Sequence, residues 1–178
     1  FAEVRHPDLI VLGAKGLRAT LGILLGGVAQ QVIEYAHWPV LIVRPPSKPI
    51  NRILAATDGS ESSEYTLNYI AKFPFLSGTE IHLVYVIPPY PERGIDSMPH
   101  VMLGGSDSLH PLPIELLEDS ETWQKQAEEK ANSALVHGKE ILTSANLTII
   151  DRLLSGDAAT ELLKYSSENK IDLIVAGS

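Results

Sequence analysis

Cysteine is absent from this 178-residue chain. That removes disulfides, thiolate catalysis and cysteine-ligated zinc. No apolar run approaches the ~20 residues that a spanning helix needs. No block of five or six like charges occurs, and the net charge of -8 argues against a nucleic-acid backbone or an anionic membrane surface as partner. The opening FAEVRHPD has neither Met nor a basic-plus-apolar signal pattern, so it reads as the interior of something longer, and a cytoplasmic, reducing setting is expected. No nucleophile–base pair, metal-ligand cluster or carboxylate dyad stands out, so no catalytic and no metal-binding residue is expected. What remains, 44% hydrophobic and 20% charged, suffices for one domain with a core or for parts of two.

A phrase is repeated. Asp8-Leu9-Ile10-Val11 recurs as Asp172-Leu173-Ile174-Val175, each followed one residue later by glycine, Gly13 or Gly177. The separation is one domain length, far beyond a solenoid period. Between the copies, wholly apolar strands alternate with helical patterns. Strands are expected at 9–12, 40–43, 52–57, 81–87, 147–153 and 171–176. Helices are expected at 28–37, with Val28, Val32, Ile33 and Ala36 on one face, at 61–72 after a Ser60 cap, and at 158–168. A long helix is marked by Trp123, Ala127, Ala131, Ala134, Leu135 and Leu142. The proline-rich stretch 88–119 reads as an irregular insert without chemistry, and its His100 and His110 do not make a metal site.

Strands separated by helices predict a doubly wound parallel α/β sheet. Pro45-Pro46-Ser47-Lys48-Pro49 fits neither sheet nor helix and reads as a linker. The cut points suggest a window on a tandem protein. Residues 1–47 would be the closing strand–helix–strand of a first repeat, and 48–178 a second repeat lacking its final helix and strand. A single rotated domain would need a linker of about six residues, at most ~20 Å long, to return across the sheet from the top of an edge strand to the bottom of a central one. Two partial repeats are expected instead.

Two segments could carry chemistry. Gly13-Ala14-Lys15-Gly16 is followed nine residues later by Gly26-Gly27 at the start of the Val28 helix. Glycines there leave backbone N–H groups approachable, the helix start adds partial positive charge, and Lys15 or Arg18 adds a full one. The result is an anion cradle suited to phosphate, although it matches neither the P-loop nor Gly-x-Gly-x-x-Gly. In Ala55-Ala56-Thr57-Asp58-Gly59-Ser60, Asp58 ends a strand just before a capped helix, where open α/β sheets bind ligands. Its carboxylate either accepts from a ribose hydroxyl or satisfies the local turn.

With those residues in view, the chain resembles the universal stress protein family over nearly its whole length. GAKGLRATLGILLGG is similar to the Gly-x-x-Gly, nine residues, Gly, Ser/Thr pattern of the nucleotide-binding members, and VAQQVIEYAHWPVLIVRP to the closing helix and strand. ILAATDGSESSEYTL, HLVYVI, LLSGDAATELL and IDLIVAGS resemble the other elements. The resemblance implies a Rossmann-like five-stranded sheet of order 3-2-1-4-5 that binds ATP or AMP, with or without Mg. Ala56, Thr57, Asp58 and Val86 would meet adenine and ribose. Leu12, Gly13 and Gly16 would line the ribose and first phosphates, and Gly26, Gly27 and Val28 the outer phosphates. Gly27 departs from the pattern, standing where the family has Ser or Thr, so one hydroxyl contact is lost while backbone donation is kept.

The expected function is an adenine-nucleotide-binding stress-response or signalling module with at most slow ATP hydrolysis. The alternative is a scaffold of the non-nucleotide branch, acting through dimerisation and partner contact. Val40–Val43 reads as an edge strand that pairs antiparallel with its counterpart, in a homodimer or an intramolecular pseudo-dimer.

Overall fold

The computed structural model describes residues 7–14, 27–44, 46, 48–76, 78–90, 114–143 and 147–177, with side chains of the long helix described from residue 120 onward. The chain divides into two compact units, residues 1–49 and 50–178.

In the first unit, strands β1 (Ile10–Gly13) and β2 (Val40–Val43) run parallel, in a register that pairs Ile10 with Val40 and Gly13 with Val43. Parallel neighbours need a crossover, and helix α1 (Gly27–Tyr35) lies in it. The ladder continues past both ends, Ile10 N–H donating to Pro39 O and Ala14 N–H to Val43 O, each at 2.9 Å. Helix α1 stops two residues short of the expected His37. Trp38 precedes Pro39, whose ring disfavours helical backbone in the residue before it. The inward stripe also differs from expectation. Ala29 is buried with Val32 and Ala36 beside it, whereas Val28 and Ile33 are 73% and 46% exposed. Small side chains let the helix approach a sheet only two strands wide, and the larger ones fall to its flanks.

The second unit is a four-stranded parallel sheet. Its strands are β3 (Arg52–Ala56), β4 (Glu80–Ile87), β5 (Thr148–Ser155) and β6 (Leu173–Val175), in the order β5-β4-β3-β6. Numbered within the unit this is 3-2-1-4, the first four positions of the expected order. The described residues of the unit supply no fifth strand. Helices α2 (Glu61–Lys72), α3 (Ile114–Thr143) and α4 (Ala158–Glu168) complete it.

Alternation along β3 divides the core in two. Ile53 and Ala55 face a cluster with Leu67 and Ile70 of α2 and Ala131, Leu135 and Leu142 of α3. Leu54 faces the other way, onto Val84 and Tyr165 of α4. The stripe expected on the long helix is the one that packs, with Trp123, Ala127 and Ala134 at its margin, and Trp123 meets Tyr90 edge-on at 5.5 Å. This helix begins at Ile114, so residues 114–119 are helical rather than part of an irregular insert. Pro113 precedes a run of good helix formers, IELLED, and a proline is well placed beside a helix start. The remainder of the expected insert, 91–113, lies outside the described residues.

Capping follows the sequence closely. Ser60 Oγ accepts from Ser63 N–H at 3.2 Å, and Asp157 Oδ1 accepts from Thr160 N–H at 2.9 Å. At the start of β6, Asp172 Oδ2 accepts from both Asn51 N–H (2.9 Å) and Arg52 N–H (3.0 Å), while Asp172 N–H donates to Arg52 O. The aspartate of the repeated phrase thus clamps the last strand to the first strand of its unit.

His82 of β4 is a polar intrusion into the apolar α4 face. It is 5% exposed, its Nδ1 lies 2.8 Å from Tyr165 Oη, and its buried Nε2 is 3.9 Å from Glu80 Oε2, beyond hydrogen-bonding distance. Burial holds the imidazole below its ordinary pKa of 6.5, against the smaller opposing pull of Glu80. A depressed histidine leaves stability intact above pH 6.5. Below it the unfolded chain takes up the proton first, so stability falls until the folded imidazole is also charged. Thermal melts between pH 7.5 and 5 are expected to show this decline, with a shallower slope in His82→Phe.

Candidate functional site

Strand β3 lies between β4 and β6. From β3 the chain reaches β4 through α2 on one face of the sheet, whereas β6 is entered from α4 on the other. Connections therefore diverge at the β3–β6 boundary, and the carboxyl ends of these strands open a crevice of the kind in which open α/β sheets bind ligands. Residues 57–59 follow β3 at this end of the sheet, and Ala176 and Gly177 follow β6.

Four of the expected nucleotide contacts meet at this end of the sheet. Ala56 pairs with Val84, and Thr57 N–H extends the ladder to Val84 O at 2.9 Å. Val86 lies two residues further along β4, half-buried on the same face as Ala56. Asp58 projects from the end of β3 into solvent. Its Oδ1 accepts from Ser60 N–H at 2.9 Å, so the turn contact is present. The Ser60 hydroxyl, followed by the Ser60 N–H, holds this carboxyl below the usual aspartate range. Asp58 is therefore an ionised acceptor at neutral pH, mounted on a hydrogen-bonded turn. Gly59, at φ +73°, passes so close to α3 that a Cβ would come within 3.1 Å of Ala134 Cβ.

The remaining expected residues belong to the first unit. Leu12 and Gly13 end β1, and Gly27 and Val28 open α1, whose first N–H groups have no intrahelical acceptor. Ala14 N–H is engaged by Val43 O. Lys15, Gly16, Arg18 and Gly26 lie outside the described residues. No group of three or more His, Asp or Glu capable of holding a metal ion occurs among the described residues, and no helix there is long and apolar enough to cross a membrane.

One residue at this end of the sheet escaped sequence reasoning, and another has a role the sequence did not show. Ser63 sits under the 57–60 turn, 3.1 Å from Thr57 Oγ1; its only signal was a serine three residues after a capping serine. Gly177 lies against the first turn of α2, where a Cβ would come within 2.6 Å of Ser62 O and 2.7 Å of Thr66 Oγ1. The repeated glycine is required here by close approach of two backbones.

The sequence model of the universal stress protein family matches residues 1–44 and 49–178. The chain belongs to this family. It is 52% identical over 48 residues to universal stress protein MJ0531 of Methanocaldococcus jannaschii, covering 27% of this chain and 28% of that protein. It is 24% identical over 172 residues to universal stress protein Slr1230 of Synechocystis, covering 96% of this chain and 47% of the relative. The crystal structure of a universal stress protein from Archaeoglobus fulgidus superposes with a TM-score of 0.58 at 18% identity, over 99% of this chain and 51% of that one. The chain thus spans about half the length, or less, of these relatives, and the structural likeness establishes the family's α/β fold.

Gly177 and Gly13 occupy the same place in the repeated phrase but have different surroundings, since a Cβ on Gly13 meets nothing within 4 Å. Gly177→Ala is expected to lower stability by about 1–3 kcal/mol, as overpacking against fixed backbone does. Gly13→Ala is expected to stay within about 0.5 kcal/mol of the parent. Urea denaturation of both variants measures the difference.

Proposed function

We propose that this chain is an adenine-nucleotide-binding stress-response or signalling module of the universal stress protein family. The observation that carries the reading is the ionised carboxylate of Asp58, held at the topological switch point beside Ala56, Thr57 and Val86. An anionic acceptor there suits a ribose diol, and the half-buried Ala56 and Val86 supply an apolar wall for a base. The glycine-rich segment of the first unit is read separately, as half of a second such site. Leu12 and Gly13 at a strand end and Gly27 and Val28 at a helix start, with Lys15, Gly16 and Gly26 assigned by the family resemblance, are the residues proposed to bind phosphate through backbone N–H groups. ATP or AMP, with or without Mg, is the ligand class. No general base accompanies the cradle, so any hydrolysis is slow.

The domain reading belongs to the same proposal. Residues 1–47 close one repeat, and 48–178 form a second repeat without its last helix and strand. The two-piece family match, the division into two units and the fractional coverage of longer relatives all support it. Each unit then carries one half of a site, and the protein works in the cytoplasm as a nucleotide-responsive partner of other proteins. A second reading, a scaffold acting only through dimerisation and partner contact, draws on Gly27 and on the contact Asp58 already makes to its own turn.

Nucleotide binding separates the two. ATP or AMP at a hundredfold excess over Kd is expected to stabilise the full chain by about 2.7 kcal/mol, read as a rise in Tm, and Asp58→Ala to remove most of that rise. Absence of any shift with millimolar ATP or AMP, together with no adenine nucleotide released on heating the purified protein, favours the scaffold.

Assembly runs through β2. This strand is bonded on one side only among the described residues, and Val43 is 36% exposed. An unpaired apolar edge is normally covered, and antiparallel pairing of β2 with its counterpart, in another chain or another repeat, covers it. Leu41→Lys is expected to convert a dimer to monomer in sedimentation velocity. A wild-type chain that sediments as a monomer at high micromolar concentration would count against pairing between chains.

A further inference from the structure

Helix α2 turns three buried residues inward, Ser63, Leu67 and Ile70. Two are apolar core residues. The third, at the same inward stripe and only 4% exposed, carries a hydroxyl. A hydroxyl at such a place is costly unless it is bonded, and alanine would fill the position with better helix propensity. Its bonds show what it does there.

Ser63 O–H donates to Ser60 O at 2.8 Å. A hydroxyl has one proton, so the 3.1 Å contact between Ser63 Oγ and Thr57 Oγ1 is donated by Thr57. Thr57, itself 7% exposed, accepts in turn from Gly59 N–H at 3.3 Å. A directed chain therefore runs from Gly59 N–H to Thr57, from Thr57 to Ser63, and from Ser63 to the carbonyl of Ser60. Ser63 N–H closes the turn by donating to Ser60 Oγ. Each of these bonds acts on residues 57–60, the segment that carries Asp58, and Ser60 N–H donates to the Asp58 carboxylate at 2.9 Å.

We propose that Ser63 is a positioning residue for adenine-nucleotide binding. Through Thr57 it fixes the 57–60 turn before the ligand arrives, so that the Asp58 carboxylate is presented to the ligand hydroxyls in one orientation. This rests on the nucleotide reading of the crevice, and fixing the turn beforehand lowers the ordering cost of binding.

The test uses the full chain with Ser63→Ala, Ser63→Thr and Thr57→Val, and two readouts. The first is the ligand-free titration midpoint of the Asp58 carboxyl, followed by carbon NMR. The second is ATP affinity by calorimetry. Ser63→Ala and Thr57→Val are expected to raise the midpoint and to weaken ATP about tenfold, the upper end of what one lost neutral hydrogen bond costs. Ser63→Thr, which keeps the hydroxyl, is expected to restore both. An Asp58 midpoint that is the same in Ser63→Ala and wild type overturns the proposal, as does an affinity loss that Ser63→Thr fails to recover. A wild-type chain that binds no ATP removes the nucleotide reading, and the midpoint alone then decides whether Ser63 positions Asp58.

Discussion

The second unit is organised around the burial of β3. Ile53, Leu54 and Ala55 have no solvent exposure, and the strand is hydrogen-bonded along both edges. A strand covered on both faces and both sides cannot shift without breaking everything around it, so the positions of its two ends are determined. At the amino end, the Asp172 carboxylate takes the N–H groups of Asn51 and Arg52, and Arg52 Nε reaches Glu80 at 3.0 Å. At the carboxyl end, Thr57 N–H continues the ladder to β4 before the chain turns at Gly59. Neighbouring connections leave for opposite faces, and the crevice follows from that divergence. The location of Asp58 is a consequence of core packing, reached without reference to any ligand.

This ordering explains which features the amino-acid sequence disclosed. Continuous apolar runs such as ILAA and LVYVI report burial on both faces, and helix 61–72 was legible because its cap and its stripe lie within one local window. The job of Asp172 was not legible. The residue looks like a turn aspartate before a strand, and its partners are about 120 positions away in the chain. His82 was hidden for the opposite reason, since one polar residue in an apolar strand leaves the strand pattern intact and its partner Tyr165 belongs to another helix. In the first unit the helix period was right and the stripe was misjudged. Val28 and Ile33 are large enough to suggest a core, but contact is made by Ala29 and Ala36, whose small size is what a close approach uses.

Ion pairs add little to this picture. Arg52–Glu80 and Lys139–Asp151, at 3.0 and 2.8 Å, join partners that are each more than a third exposed. Such pairs contribute about 1 kcal/mol or less. Their value is in register, since each joins two neighbouring elements.

The glycines of the repeated phrase bear on how far resemblance can be carried into function. A glycine after a buried strand invites the reading that it leaves backbone N–H groups free for phosphate. At Gly177 the surroundings supply a different cause, because Ser62 O, already held by the Thr66 hydroxyl at 2.9 Å, leaves no room for a Cβ. Packing alone would therefore retain a glycine at this point of the fold whether or not a nucleotide binds. The glycine at this position therefore discriminates poorly between a nucleotide-binding member and a scaffold, whereas at Gly13 and Gly27 a Cβ meets nothing within 4 Å and no such packing cause is present. Polar groups that packing does not require discriminate better. Asp58, exposed at the end of β3, is of that kind, and the buried hydroxyls of Thr57 and Ser63 hold the turn that carries it. Such groups, at the end of β3 and in the first turn of α2, are where substitution separates a ligand role from core packing.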